Sequence, residues 1–147
     1  QEGDPEWDQG RSPSIFIDGS GWGCAFSLGV ARHIQEEYDC SNCEIFAISA
    51  GNIAGLCLAL DLDIEQEIET RFQRLRDRAL YSHFTQPLCM YCSSLGPIRE
   101  LLDDMLPDNA HELLSGRYHA VTCAWPYLGF RFIYKFHSKE HLISSVL

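Results

Sequence analysis

Basic residues are scarce. Eleven Lys and Arg stand against 21 Asp and Glu, which sets the formal net charge at -10. So acidic a chain has no basic face with which to neutralise phosphates, and nucleic acid is excluded as an expected partner. Long apolar runs are missing as well: none approaches the roughly 20 residues that span a bilayer. The polar, acidic start at Gln1 lacks the basic and apolar regions of a signal peptide, so reduced thiols are expected. A start at Gln1 in place of Met also suggests a piece of a longer protein. No internal repeat or low-complexity tract is found. A 46% hydrophobic content in 147 residues is that of a globular domain, or part of one, with a real core.

Cysteine, by contrast, is plentiful, at seven. Two pairs have metal-ligand spacing, Cys40-Ser41-Asn42-Cys43 and Cys89-Met90-Tyr91-Cys92. Four thiolates would suit a structural zinc. The interval between the pairs is far wider than in small zinc modules, so thiols in core or loop positions are the preferred reading. No metal and no cofactor is expected.

The most informative stretch is Glu44-Ile45-Phe46-Ala47-Ile48-Ser49-Ala50-Gly51. Its apolar run is short and rich in branched and aromatic residues, which predicts a strand buried on both faces. The following run, Ile53 to Leu60, is apolar all round, as in a helix inside a core. A serine in the turn between such elements is the nucleophile-elbow pattern, with Ala47 where the first glycine usually stands. A packing turn of small residues is the rival reading.

Upstream, residues 1–13 read as a flexible acidic leader. Ser14 to Asp18 then predicts a short strand entering Gly19-Ser20-Gly21-Trp22-Gly23. Phe26, Val30, Ile34 and Tyr38 recur every fourth residue and predict one face of an amphipathic helix. Strand, glycine loop, helix and strand make a βαβ unit with parallel strands. The loop and Ser49 then share the C-terminal edge of the sheet, where α/β folds build their sites. There the loop N–H groups and that of Ala50 are placed to stabilise an oxyanion. A dinucleotide site is the weaker alternative, since Cys24 stands where a third glycine belongs.

Downstream, Ile64, Ile68, Phe72, Leu75 and Ala79 predict a surface helix with acids early and bases late, as the helix dipole prefers. Residues 81–92 read as an irregular loop containing His83. Leu95, Ile98, Leu101, Leu102 and Met105 predict a helix ending before Pro107. Tyr118 to Trp125 and Phe130 to Phe136 predict two strands, and Ser138 caps a last helix. An activating base is harder to find. His111, His119, His137 and His141 read as ordinary surface or core residues. Asp61, Asp63, Asp77, Asp103, Asp104 and Asp108 fall on or beside helices.

The glycine loop Asp18-Gly19-Ser20-Gly21-Trp22-Gly23, with Gly29 behind it, and Ala47-Ile48-Ser49-Ala50-Gly51 resemble the oxyanion and nucleophile motifs of the patatin-like phospholipases. Leu106-Pro107, Ala110-His111-Glu112, Ser115-Gly116-Arg117, Thr122 and Phe136 to Ile143 resemble the adiponutrin and adipose triglyceride lipase branch. The resemblance runs from Ser14 to the last residue. It implies a three-layer α/β/α fold with a mainly parallel central sheet over 14–147, incomplete at the C-terminus. It also implies a lipid acyl hydrolase with a Ser–Asp dyad: Ser49 as nucleophile, with Gly19, Ser20, Gly21 and Trp22 forming the oxyanion hole. Acylglycerol or phospholipid is the implied substrate, met at a lipid-droplet or membrane surface in the cytoplasm. The family's aspartate lies in a later Asp-Gly-Gly or Asp-Gly-Ala motif, and none follows Ser49, so the chain is expected to stop before its base. A non-catalytic lipid-binding scaffold is the alternative.

Overall fold

A computed structural model describes residues 12–19, 21–74, 77, 90–124 and 129–147. Residues 1–11 of the leader, Ser20, residues 75–76 and 78–89 and residues 125–128 lie outside the described residues, and residues 90–92 of the expected loop are the start of a helix. Four strands, β1 (Ser14–Ile17), β2 (Glu44–Ile48), β3 (Tyr118–Ala124) and β4 (Gly129–Ile133), form one sheet in the order β1-β2-β3-β4. The first three run parallel, with Ile17 beside Ala47 and Ala47 beside Ala120; β4 is antiparallel to β3. The helices are α1 (Cys24–Glu37), α2 (Gly51–Ala59), α3 (Ile64–Glu67), α4 (Met90–Met105), α5 (Ala110–Leu114) and α6 (Lys139–Val146). The result is an α/β fold of the three-layer α/β/α kind, a mostly parallel sheet flanked by helices.

Helix α2 is the centre of the core. All nine of its residues are buried, as its all-round apolar sequence requires. It crosses the face of the sheet that carries Ile45, Ala47 and Tyr118. A Cβ added at Gly55 would stand 2.9 Å from the Ala47 Cβ and 3.2 Å from the Tyr118 ring. Helix α1 packs against α2, and α6 packs against β3 and α5. The last helix starts as its sequence predicts, with the Ser138 hydroxyl accepting from the His141 N–H at 3.1 Å.

Two expectations are corrected. The stripe of Phe26, Val30 and Tyr38 does not face the core: these side chains are 79%, 44% and 67% exposed. The inner face of α1 is instead Leu28 and Ala31, with Ile34 half-buried. Leu28 and Ala31 lie three apart, and the smaller pair lets α1 sit close to α2. Nor is β2 buried on both faces. Ile45 and Ala47 are sealed under α2, whereas Phe46 and Ile48 on the opposite face are half-buried. On that second face the His119 ring stacks on Phe46 at 4.2 Å and Phe132 meets Phe46 edge-on at 6.1 Å. A third refinement concerns the helix from Ile64. It passes through a π-helical turn at Ile68–Phe72, next to the Glu67–Arg71 ion pair.

Candidate active site

Ser49 follows β2 directly and precedes α2 by one residue. Its backbone has φ +52°, a left-handed conformation that costs an L-residue about 1 kcal/mol or more. The reversal it makes turns the chain from strand into helix and leaves Ser49 exposed in a core-forming segment. Its carbonyl accepts from the Asn52 N–H at 2.9 Å, closing the first helical turn.

Two glycines make the turn possible by lacking a side chain. A Cβ at Gly51 would stand 2.5 Å from the Asp18 carbonyl oxygen and 2.9 Å from that of Ile17. At that separation backbone, not a flexible tip, would have to move. A Cβ at Gly19 would stand 3.0 Å from the Ser49 Cβ. The end of β1 therefore lies against the serine turn, so the glycine loop and Ser49 meet at one sheet edge, as parallel strands demand. The methyl of Ala47 is accommodated by Gly55 on α2. A glycine pair four apart on α2, Gly51 and Gly55, was the sequence signal for this close approach.

The turn is anchored from below by a buried polar set that sequence reasoning did not find. The Asn52 side chain donates to the Val146 carbonyl at 3.0 Å and accepts from the Tyr118 hydroxyl at 2.7 Å. Asn52 is 3% exposed and Tyr118 fully buried. Burial pushes the Tyr118 phenol well above its ordinary pKa, which keeps it a donor. One residue thus ties the start of α2 to β3 and to the end of α6, across 94 residues of chain.

The glycine loop is more committed than expected. The Gly19 N–H donates to the Asp18 carboxylate at 2.7 Å, so this donor is occupied from within. Gly21 has φ +54° and opens the 3₁₀ turn Gly21–Gly23 that leads into α1. That helix starts without a side-chain cap. Cys24 begins it, and burial chiefly raises its thiol pKa. Ser20 lies outside the described residues, and of Trp22 only the backbone turn is described.

No described carboxylate or imidazole is hydrogen-bonded to Ser49. His111 and His119 each leave one ring nitrogen buried without a hydrogen bond, and His137 stacks on His141 at 5.1 Å. Asp63 caps α3 through the Gln66 N–H, and Asp103 and Asp108 face Lys139. Among the described residues no cluster of three or more His, Cys, Asp or Glu is placed to hold a metal. Cys89 and the Cys92 side chain, half of the expected four-thiolate set, lie outside the described residues.

The fold and its edge thus define an α/β protein with an exposed serine in a strained strand-to-helix turn. No protein family, curated protein or solved structure matches the chain.

Proposed function

We propose that the protein is a lipid acyl hydrolase of the patatin-like kind, with Ser49 as its nucleophile. The observation that carries this reading is the left-handed, exposed Ser49 set against Gly19 at the C-terminal edge of parallel strands. Backbone strain of this sort persists where the surrounding structure enforces it, and it clusters at functional sites. The hydroxyl would attack an ester carbonyl, and an acyl-enzyme would follow as the alcohol leaves. The oxyanion would be held by the N–H of Ala50 and by loop donors from Gly21 and Trp22, with Ser20 and Gly19 beside them. Acylglycerols or phospholipids are the substrates that the sequence resemblance favours, reached at a membrane or lipid-droplet surface. With no base bonded to Ser49 among the described residues, the 147 residues alone should turn esters over slowly. A missing member of such a set costs on the order of 10⁴-fold.

One observation favours a second reading, a non-catalytic lipid-binding scaffold. The Asp18 carboxylate takes up the Gly19 N–H and sets negative charge beside the position where an oxyanion would form. Fluorophosphonate labelling separates the two. The longest natural form of the protein should be labelled, and Ser49→Ala should lose the label. Absence of label in both, with ester hydrolysis no higher than in buffer, would leave the scaffold reading standing.

A further inference from the structure

At the opposite edge of the sheet from Ser49, Cys40 and Cys43 flank the turn that joins α1 to β2. The Cys43 N–H donates to the Cys40 carbonyl at 3.0 Å, closing a four-residue turn. Such a turn holds its end Cα atoms within about 7 Å, and a disulfide needs about 4.4–6.8 Å. The turn is braced on both sides. The Ser41 N–H donates to the Asp39 carboxylate at 2.9 Å, and the Arg117 guanidinium donates to the carbonyls of Cys40 (2.7 Å) and Cys43 (3.1 Å).

We propose that Cys40 and Cys43 are a redox-active dithiol site that closes to a reversible disulfide by exchange with a small disulfide of the glutathione type. The two thiols differ in access, as such a pair requires. Cys40 is half-buried and lines an open cavity of about 420 Å³, together with Tyr38, Asp39, Leu60, Asp61 and Arg117. Cys43 is 5% exposed, behind it. The cavity admits the reagent to Cys40 alone. The Cys40 thiolate attacks one sulfur of the disulfide RSSR, forming a mixed disulfide and releasing RS⁻. The Cys43 thiolate then attacks the Cys40 sulfur and releases the second RS⁻. The two cysteines lose two electrons and two protons, and RSSR becomes two RSH. Burial chiefly, then the Cys43 thiol, raises the Cys40 pKa. Arg117 holds carbonyls, not sulfurs, so the turn keeps its frame in either state.

The test is to incubate the folded chain with oxidised glutathione, block free thiols with iodoacetamide, digest, and weigh the peptide containing both cysteines. The expected result is an unalkylated peptide two hydrogens lighter than the reduced form, restored by dithiothreitol. Cys43→Ser should stop at one glutathione on Cys40. Three results would overturn the proposal: both cysteines alkylated as before, glutathione left on wild-type Cys40, or either cysteine joined to a different one. The wild-type peptide decides the matter even if Cys43→Ser fails to fold.

Discussion

The two ends of strand β2 are built by opposite means. At its C-terminal end, around Ser49, chain segments meet backbone to backbone because side chains are missing: Gly51 lies against the Asp18 and Ile17 carbonyls, and Gly19 lies against Ser49. At its N-terminal end one long side chain does the joining. Arg117 donates to the carbonyls of Cys40, Cys43 and Ala59, at 2.7, 3.1 and 3.0 Å. It thereby ties the start of β3 to the α1–β2 turn and to the end of α2. A planar guanidinium with five donors is suited to such a fork. The first arrangement leaves a hydroxyl exposed and strained, whereas the second satisfies carbonyls that have no strand partner. An edge that presents a hydroxyl and an edge that braces the chain follow from that difference.

The comparison breaks most severely at Arg117. Arg117→Ala takes the guanidinium donor from three partly buried carbonyls, leaving those of Cys43 and Ala59 without it and that of Cys40 with the Cys43 N–H alone, and each bond to a charged group is worth about 1.5 kcal/mol or more. A loss of roughly 3–4 kcal/mol is expected, read as a fall in the urea midpoint with little change in slope. Arg117→Lys should recover only a minor part, because an ammonium cannot span three carbonyls in a plane. A lysine variant as stable as the wild type would show that charge, not the fork, holds this end.

The other end should yield next. Gly51→Ala puts a methyl 2.5 Å from a backbone oxygen, and overpacking of this kind costs about 1–3 kcal/mol. Thermal unfolding should report that loss. The serine turn should also shift, so fluorophosphonate labelling, where it occurs, should fall more than stability does. Gly21→Ala serves as the contrast: a Cβ there meets nothing within 4 Å, so its cost comes from the positive φ alone.

How legible each end was in the sequence follows from the same contrast. The Ser49 end is written locally. A short apolar strand, small residues on either side of a serine and an all-apolar helix predicted the turn, the parallel pairing with β1 and the burial of α2. The Cys40 end is written over distance, since Arg117 reaches its three carbonyls across 74, 58 and 77 residues. Nothing around Arg117 in sequence announces those partners. The buried Asn52 likewise read as part of an apolar helix, and its bonds to Tyr118 and Val146 exist only once β3 and α6 are packed. Periodicity failed at α1 for a related reason. Phe26, Val30 and Tyr38 form the better stripe by hydrophobicity, yet the close approach of α2 selects the smaller Leu28 and Ala31 face.

A smaller effect should appear in thiol reactivity at the bracing edge. Burial comes first, then the Cys43 thiol and the Asp39 carboxylate, in raising the Cys40 pKa above its ordinary value, while Arg117 lowers it. The sign is that of a neutral thiol held protonated. In the folded chain, alkylation of Cys40 should therefore keep accelerating with pH beyond about 8.5, where an unperturbed thiol levels off. In the urea-unfolded chain the same cysteine should level off at the ordinary value. Parallel pH profiles in the two states would show that the cavity leaves Cys40 as free as in the open chain.

The smallest effect separates strain that terminates a helix from strain that presents a side chain. Among the described residues two non-glycine residues have positive φ, and they flank α2: Ser49 before it (+52°) and Asp61 after it (+51°). Asp61 stands where helices commonly end in a left-handed residue, and the Leu62 N–H donates to the Cys57 carbonyl at 2.9 Å to complete that ending. Asp61→Gly should stabilise by up to about 1 kcal/mol, as glycine does at helix ends. Ser49 has no such role at a helix end, because the residue that caps α2 is Ala50, whose backbone is already helical (φ −60°, ψ −22°). Ser49→Gly should gain about 1 kcal/mol relative to Ser49→Ala, while both lose the hydroxyl. If glycine and alanine at 49 melt together, the turn carries no strain at the serine, and its exposure is a matter of packing alone. If glycine is the more stable while Ser49 is what the fluorophosphonate labels, stability has been given up at this edge of β2 to hold a hydroxyl outward.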